Sequence, residues 1–479
     1  MTQTIRKPTA SPNRGDGAAT AASRLAEFTA TLDAAAVPAA VRQAAMLHLL
    51  DTVGCGLAAH ALGVATQGVE LAGRDGGTAD ASTIGLAERV PAAAAALANG
   101  MLCHGLDFDD THPDAIAHVG TVIGPAALAA AEATGARGAD LVTALVVGAE
   151  VVARVGTPAA DQYMRRGFHP TSVCGVFGAT AAAAKLYGLS ARATASALGI
   201  AGSMAAGLFE YLAEGTETKP IHAGWAAQSG VTAARLAALG ASGPTTILEG
   251  RFGIFAAYFD HPQLNLDEQL ADLGYRWEMP RVAYKPYPAC HFVHSCVDAA
   301  RELRTRGARS DEIAAVRASI PAPGIPLVAE PAQYKRRPRT AYDAKFSLQY
   351  SVAAMLVHGT VDVTTYTAGA IGDPDVLELA ERVECEGGTF PTYPKAFPGS
   401  VEVVLRDGRS LASTVEYQRG GEQSPMTLED VVAKYRANAA LALPTADIDE
   451  LESAILTLDE ARDLSGLRAI RRARAKEAT

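Results

Sequence analysis

A polar stretch from His104 to Gly120, HGLDFDDTHPDAIAHVG, lies between two segments built mainly from small apolar residues. The segments at 90–103 and 121–134 are rich in alanine and carry few charges, so both are predicted to be buried helices. A buried core does not need histidine, threonine and aspartate side chains, whereas a polar loop held between buried helices can present them to a small molecule. We therefore expect this stretch to organise both the fold and a functional site.

The composition is typical of a densely packed globular chain, with 479 residues of which 49% are hydrophobic and 20% are charged. A chain of this length is expected to form more than one lobe. The net charge of −10, without a basic stripe to offset it, argues against nucleic-acid and anionic-membrane partners. We expect a disordered tail at residues 1–17, no signal peptide, no membrane span and a cytoplasmic location.

The chain shows no pattern that indicates a metal or an organic cofactor. Its six cysteines form no CxxC pair, and we expect them to be reduced, buried thiols rather than ligands of an iron–sulfur cluster. The aspartates of the polar stretch lack the spacing of an EF-hand, and no HExxH motif occurs. His291 and His294 lie one helical turn apart, but without an obvious third ligand a packing or hinge role is favoured over a metal site.

Helical periodicity dominates the first part of the chain. The spacing of apolar residues predicts two helices between residues 18 and 63, further helices over 141–155 and 174–187, and an alanine-rich buried helix over 222–239. The pattern changes near Met279, where alternation of apolar and polar residues begins to indicate strands.

The segments AAVRASIPA, RVECEG, SVEVVLRDG and SLASTVEYQ are predicted to be strands, the last two joined as a hairpin at Asp407-Gly408. Helical patterns return in the C-terminal part. We predict a mainly α fold in which a large all-helical domain carries a smaller α/β lid domain. The helical domain would contain residues 18–279 and be rejoined by C-terminal helices within 419–479, and the lid would contain residues 280–418.

Three polar residues stand where a simple surface role does not explain them. His169 in GFHPTS precedes Pro170 at the mouth of a helix, where it suits a carboxylate, although it could instead bridge loop backbone. Lys219 stands just before a buried helix, so it either snorkels or meets an anion. Asp51 lies in an apolar stripe, where a helix cap or a satisfied core carboxylate is favoured over a catalytic one.

Taken together, these blocks resemble the MmgE/PrpD family, which includes 2-methylcitrate dehydratase, cis-aconitate decarboxylase and iminodisuccinate epimerase. The resemblance runs from LDTVGCGLAA to about KYRANAAL. It rests on five blocks in order: HGLDFDDTH, GFHPTSVCGVFGA, the Lys219–His222 loop with HAGWAA, KPYPACHFVH and AKFSLQYS. It implies a helical main lobe, a smaller α/β lid, a site between them, and a homodimer.

The family motifs also imply a set of site residues. Those implied to be catalytic are His169, His118, Asp107, Lys219 and Lys285, and those implied to bind substrate are Thr111, Tyr350, Lys219 and Lys285. Asp107, His118, His169 and Lys219 are candidates on the residues alone, whereas Lys285 and Tyr350 rest on the resemblance. HPDAIAHVG lacks the second proline of the HPxxHP pattern found in decarboxylase-like members, a departure that weakens the decarboxylase interpretation.

Three hypotheses follow. The first is a lyase without metal or cofactor, acting on a small anionic di- or tricarboxylate as a dehydratase or a decarboxylase, in which lysines bind carboxylates and histidines exchange protons. The second is an epimerase or racemase of an imino- or amino-dicarboxylate, in which the same groups act on opposite faces of one carbon. The third is a non-catalytic helical scaffold, which the intact HGLDFDDTH and GFHPTS blocks disfavour.

Overall fold

The computed structural model describes residues 19–214, 216–259, 264 and 266–475, so the predicted tail at 1–17 lies outside the described residues. Within them the chain is mainly helical and buries two separate apolar cores. The first core takes its side chains from residues 21–282 and 431–473, with Val363 added, and the second takes them from residues 287–405. The mainly α class predicted from the sequence, with a smaller α/β part, is confirmed.

The first part of the chain forms the helices of the first core. They are α1 (Ala21–Thr31), α2 (Ala39–Ala61), α3 (Gln67–Asp75), α4 (Ala92–Gly105), α5 (Gly120–Thr134), α6 (Gly138–Gly156), α7 (Ala160–Arg165), α8 (Pro170–Val173), α9 (Gly175–Leu186), α10 (Ala191–Gly202), α11 (Tyr211–Glu214), α12 (Lys219–Ala238), α13 (Ile254–Tyr258) and α14 (Leu266–Leu270). The hairpin of β1 (Ala81–Thr83) and β2 (Leu86–Val90) was not predicted, because these strands are too short to show a period.

The second core is an α/β layer. Its helices are α15 (His291–Thr305), α16 (Ile325–Val328), α17 (Ala332–Arg336), α18 (Ala341–Lys345), α19 (Leu348–His358) and α20 (Pro374–Ala380), and its strands are β3 (Ile313–Pro321), β4 (Val383–Gly388), β5 (Gly399–Leu405) and β6 (Ser410–Val415). The strand order is β4-β3-β5-β6, in which β3 and β4 are parallel and the other neighbours are antiparallel. The predicted β5–β6 hairpin is confirmed, and Gly408 in its turn has a φ of 88°.

The C-terminal helices α21 (Leu428–Ala439) and α22 (Thr445–Leu456) pack against α2. A side chain on Gly54 of α2 would meet Tyr435 of α21 at 3.2 Å, so the small residue allows the two helices to approach closely. The domain boundaries at 279/280 and 418/419 stay predictions. Among the residues that the structure describes, no helix has both the length and the apolar character needed to cross a bilayer.

The cysteines are free within this fold. Cys55, Cys103, Cys174 and Cys296 are buried, whereas Cys290 and Cys385 are half-buried, so the expectation of buried thiols holds for the first group only.

Candidate active site

The turn that follows α4 sets Asp107 in the left-handed region, with a φ of 54° that is uncommon for a residue other than glycine. Its carboxylate is buried and meets two ammonium groups at one oxygen. Lys219 Nζ lies 2.6 Å and Lys285 Nζ 2.9 Å from Asp107 Oδ1. Burial acts to raise the pKa of Asp107, but the two lysines hold that pKa well below its usual range. Asp107 is therefore an ionised bridge between two cations.

The backbone of the same turn is held by cations as well. Three buried ammonium groups donate to three successive carbonyl oxygens: Lys345 to that of Leu106 at 2.6 Å, Lys285 to that of Asp107 at 2.9 Å, and Lys434 to that of Phe108 at 2.7 Å. Burial lowers the pKa of Lys345 to about 8. The turn around Asp107 is thus the place where several buried positive charges meet.

Asp109, two residues further on, holds two histidines through one oxygen. His104 Nδ1 lies 2.8 Å and His118 Nδ1 3.0 Å from Asp109 Oδ2. Burial acts to raise the pKa of Asp109, but the two histidines hold that pKa well below its usual range. Because both Nδ1 atoms donate to the carboxylate, each ring is left with Nε2 for other contacts.

The two Nε2 atoms have different surroundings. His118 Nε2 lies 3.9 Å from Asp107 Oδ1, which connects the histidine pair to the lysine cluster. His104 Nε2 is buried and has no hydrogen-bonding partner among the described residues, and burial lowers the pKa of His104 to about 4. Thr111 Oγ1 lies 3.4 Å from His118 Nδ1, at the edge of hydrogen-bonding distance. His104 thus carries an imidazole nitrogen that is available to a ligand.

His169 stands immediately before Pro170, the first residue of α8, as its sequence context predicts. Its side chain does not bridge loop backbone. Instead, its Nδ1 lies 3.1 Å from His222 Nδ1, and its ring centroid lies 5.7 Å from that of His104 and 6.3 Å from that of His118. Burial lowers the pKa of His169 well below its usual range, and the neighbouring histidines and Lys219 add to this effect. The ring is therefore neutral at neutral pH.

Helices α4 and α12 cross at two glycines, and this close crossing brings the groups of the site together. A Cβ placed on Gly100 of α4 would lie 2.7 Å from Gly224 Cα of α12, and one placed on Gly224 would lie 2.5 Å from the carbonyl oxygen of Leu97. The two helices can approach this closely only because both positions are glycine. The approach sets the first residue of α12, Lys219, against the turn after α4, where Asp107 lies.

The structure brings most of the predicted site residues together but not Tyr350. The assembled residues are Asp107, Thr111, His118, His169, Lys219 and Lys285. Tyr350 is 1% exposed in α19, and its hydroxyl lies 3.0 Å from the carbonyl oxygens of Thr365 and Ala370. That Tyr350 binds substrate stays a prediction; in this structure backbone of the second core engages the one proton that its hydroxyl can donate.

Tyr342 is the tyrosine that the second core contributes near the lysines. Burial raises the pKa of its hydroxyl well above the usual range, and the nearby Lys219 partly opposes this rise. Sequence reasoning also missed Lys345 and His222, and it did not single out His104 or Asp109 within the polar stretch. The signal available for Lys345 was the one used for Lys219, a lysine beside a predicted buried helix.

Asp51 and the pair of His291 and His294 all contact other groups of the protein. Asp51 Oδ1 lies 2.7 Å from Lys434 Nζ, and both side chains are buried, so Asp51 is a core carboxylate paired with a cation. His294 Nε2 lies 2.9 Å from the carbonyl oxygen of Ala289, and its ring packs 4.9 Å from that of His291. This HxxH pair packs as expected.

Two groups of side chains in the site have a spacing that could hold a metal ion. One consists of His104, His118 and His169, and the other consists of Asp107, Asp109 and His118. In the second group the lysine ammonium groups already contact Asp107, and a metal cation would have to displace them. The donor set around Asp107 therefore fits a bound anion better than a further cation.

Comparison with known proteins matches two family models to this chain. The MmgE/PrpD N-terminal domain matches residues 23–267 and the MmgE/PrpD C-terminal domain matches residues 287–460. The chain is 33% identical to the human cis-aconitate decarboxylase over 391 residues, which cover 79% of each chain. It is 29% identical to the cis-aconitate decarboxylase-like protein oryM of Aspergillus oryzae over 465 residues, 93% of this chain and 96% of that one. It is 26% identical to the mitochondrial 2-methylcitrate dehydratase of Yarrowia lipolytica over 226 residues, 43% of this chain and 42% of that one.

Proposed function

Because this chain belongs to the MmgE/PrpD family, we propose that it is a lyase that acts on a small di- or tricarboxylate without a metal ion or an organic cofactor. The observation that carries the proposal is the buried lysine cluster around Asp107, with histidine rings beside it. A site of this kind binds anions and moves protons, and both abilities are required to eliminate carbon dioxide or water from a polycarboxylate.

The charge balance supports a substrate with more than one carboxylate. Lys219, Lys285 and Lys345 surround the turn that carries the single carboxylate of Asp107. Two of these ammonium groups share the one carboxylate of Asp107, and buried ammonium groups attract an anion more strongly than exposed ones because little water screens them. A substrate carboxylate would replace part of the interaction that Asp107 now provides. Lys219 and Lys285 are the carboxylate-binding groups that we propose.

The histidines would supply the proton chemistry. His169 is neutral in the free protein, but a bound polycarboxylate brings negative charge next to its ring and favours the protonated form. Binding of the substrate thus favours the protonated His169 that then acts as the acid. His118, oriented by Asp109, is the second proton carrier that we propose, and Asp107 orients it from the other side. Each positioned acid or base contributes about 10²–10⁴-fold to the rate.

Decarboxylation is the reaction that we propose first. The bond between the carbon chain and one carboxylate breaks, carbon dioxide leaves, and the electron pair passes towards a remaining carboxylate held by lysine. One proton from a histidine is then added to carbon. The relatives named as cis-aconitate decarboxylases support this choice. The missing proline after His118 weakens this choice. The more distant relative named as a 2-methylcitrate dehydratase supports dehydration as the alternative.

The test is a panel of 2-methylcitrate, citrate, cis-aconitate and iminodisuccinate, scored for binding and for products. An acid present at 100 times its dissociation constant stabilises the folded protein by about 2.7 kcal/mol, which a thermal melt detects. Release of carbon dioxide indicates decarboxylation, and a new alkene without carbon dioxide indicates dehydration. Exchange of deuterium into the substrate without either product indicates epimerisation.

A matched pair of lysine variants makes this test specific to the site. Lys285→Met should lose the stabilisation by the acid, whereas Lys395→Met, an exposed lysine far along the chain from the polar stretch, should keep it. A protein that neither binds nor converts any acid of the panel would leave the scaffold hypothesis standing and overturn this proposal.

The organisation of the chain is part of the proposal. We infer that residues 280–418 act as a lid, which is supported by the contacts of Lys285 and Lys345 with the turn after α4. We also propose a homodimer that works in the cytoplasm, supported by the family resemblance and by cysteines that are all free. Sedimentation of the purified protein would test the dimer.

A further inference from the structure

His169 and His222 form a direct histidine pair. Their Nδ1 atoms lie 3.1 Å apart, and at this distance one nitrogen carries the proton and the other accepts it. His222 lies on the first turn of α12, and the backbone N–H of His169 donates to the carbonyl oxygen of Gly207 at 3.0 Å. Gly207 has a φ of 114°, and a Cβ there would lie 3.3 Å from His222 Cγ. The local backbone is shaped to hold both rings.

The two rings face different surroundings. On the side of His169 lie His104 and His118, and the Nε2 of His104 is buried without a partner among the described residues. His222, by contrast, lines a cavity of about 490 Å³. Among the residues lining this cavity, Leu208 and Trp225 are exposed to solvent, which shows that the cavity opens to water. His222 thus stands between the interior cluster and an open cavity.

The groups around His222 leave it few other roles. Ser172 Oγ donates to its backbone carbonyl oxygen at 3.0 Å, and the ring of Tyr211 packs edge-on against its own at 5.8 Å. Lys219, three residues before it, is the charged group that acts on the ring. No carboxylate among the described residues is paired with its ring, so its one strong side-chain contact is the nitrogen of His169.

From this geometry we propose that His222 is the proton relay that recharges His169 from the open cavity. The inference rests on the proposed decarboxylation, because loss of carbon dioxide consumes one proton in each turnover whereas dehydration and epimerisation consume none. His222 acts through His169 and does not touch the substrate. It is a positioning and relay residue, and the cavity is the water-filled entrance for protons.

One proton passes along the pair in each turnover. A proton from water in the cavity binds His222 at Nε2, and His222 passes its Nδ1 proton to Nδ1 of His169. His169 gives its Nε2 proton to the substrate carbon that has lost carbon dioxide. One proton has entered and one has been added to product. Both rings are left in the opposite tautomer. After the product has left, each ring returns to its starting tautomer by exchange with water, taking up a proton at the nitrogen that lost it and releasing one from the other nitrogen, so the reset consumes no net proton.

The kinetic experiment uses His222→Gln. A glutamine amide can hydrogen-bond to His169 but cannot carry a proton, so the pair is kept in place while the relay is interrupted. We expect kcat to fall at least about tenfold. The fall should be smaller than the 10²–10⁴-fold expected when an acid or base is lost, because slow direct protonation of His169 remains. KM should stay within about twofold. Added imidazole should diffuse into the cavity and restore kcat, with a saturating dependence on its concentration.

The matched control is His358→Gln, the same change at an exposed histidine that pairs with Asp373. It should leave kcat unchanged and show no response to imidazole. A wild-type kcat in His222→Gln would overturn the relay, and so would a low kcat that imidazole does not raise while thermal melting shows the fold intact.

A second measurement does not depend on turnover. In protein labelled with ¹⁵N-histidine, the Nδ1 resonance of His169 should shift when His222 is replaced by glutamine and stay unchanged in His358→Gln. An unchanged resonance would refute the pairing itself. If the wild-type protein converts none of the acids in the panel, the proposed function fails while this spectroscopic result still decides whether the two histidines are hydrogen-bonded to each other.

Discussion

Replacing Asp107 by asparagine removes one negative charge between two buried cations and leaves the shape of the side chain nearly unchanged. Lys219 and Lys285 lie 2.6 and 2.9 Å from the same carboxylate oxygen. At an effective dielectric constant of about 20, each pair attracts by roughly 6 kcal/mol, most of which offsets the desolvation of the three groups. Breaking a buried pair by removing one partner costs about 3–5 kcal/mol. We expect Asp107→Asn to lower the free energy of unfolding by that amount.

Urea unfolding followed by tryptophan fluorescence measures this loss, since Trp225 and Trp277 both belong to the first part of the chain. Asp114→Asn is the matched control, because Asp114 forms a partly exposed pair with Arg281 and should cost less than about 1 kcal/mol. The double variant Asp107→Asn, Lys219→Met should cost less than the two single changes added together, because removing the lysine removes one stranded charge.

The stability that the Asp107 carboxylate contributes should also depend on pH. The pKa of Asp107 is depressed in the folded protein, so its stabilisation is present above the unfolded pKa of about 3.9 and is lost as the pH falls further, through the folded pKa. The stability difference between wild type and Asp107→Asn should therefore be constant near neutral pH and narrow below about pH 4. An equal unfolding midpoint for both proteins at neutral pH, or a fully additive double variant, would refute the reasoning.

Four further predictions concern activity. His169→Asn should lower kcat by about 10²–10⁴-fold with little change in the affinity for the substrate acid. Lys219→Ala should lower kcat and also weaken substrate binding by about 1.5–3 kcal/mol. If steady-state kinetics show that His169→Asn loses only affinity and Lys219→Ala loses only turnover, the two roles are exchanged. Gly100→Ala should force α4 and α12 apart, which should lower the free energy of unfolding by about 1–3 kcal/mol and raise KM. An unchanged melting temperature together with an unchanged KM would contradict the close crossing. KM should rise as the pH increases through about 8, where Lys345 loses its charge, and Lys345→Met should flatten that rise in a pH series. Dialysis against a chelator should leave activity unchanged, and a loss reversed by one divalent ion would show a metal requirement.

The helical part of the fold was predictable because its signal is local. Apolar spacing predicted α1, α2, α6 and α9 close to their observed bounds, and alternation predicted all four strands of the second core. Lys219 was predicted to precede its helix, but it is the first helical residue, since Pro220 at the next position is compatible with a helix start. The β1–β2 hairpin was not predicted, because strands of three to five residues are too short to show a period in the sequence.

The site was predictable in part because its residues are unusual where they stand. A polar stretch between apolar helices pointed to Asp107 and His118, and a lysine beside a buried helix pointed to Lys219. The pairing of these groups was not predictable, because it depends on contacts between distant segments. Nothing local connects Lys345 with Leu106, and motif position alone suggested Tyr350, whose hydroxyl instead bonds backbone of the second core.

The three lysines that hold consecutive carbonyl oxygens of the Asp107 turn also bear on when the site can form during synthesis. The bonds to Leu106, Asp107 and Phe108 join residues that are 239, 178 and 326 positions apart along the chain. Closing such long loops has an entropic cost that is recovered only when the distant partner is present. A nascent chain that ends before α21 has every proposed catalytic side chain but lacks Lys434. We therefore expect the helices to form early while the turn stays unformed, so that binding of the acid begins only when the chain is nearly complete.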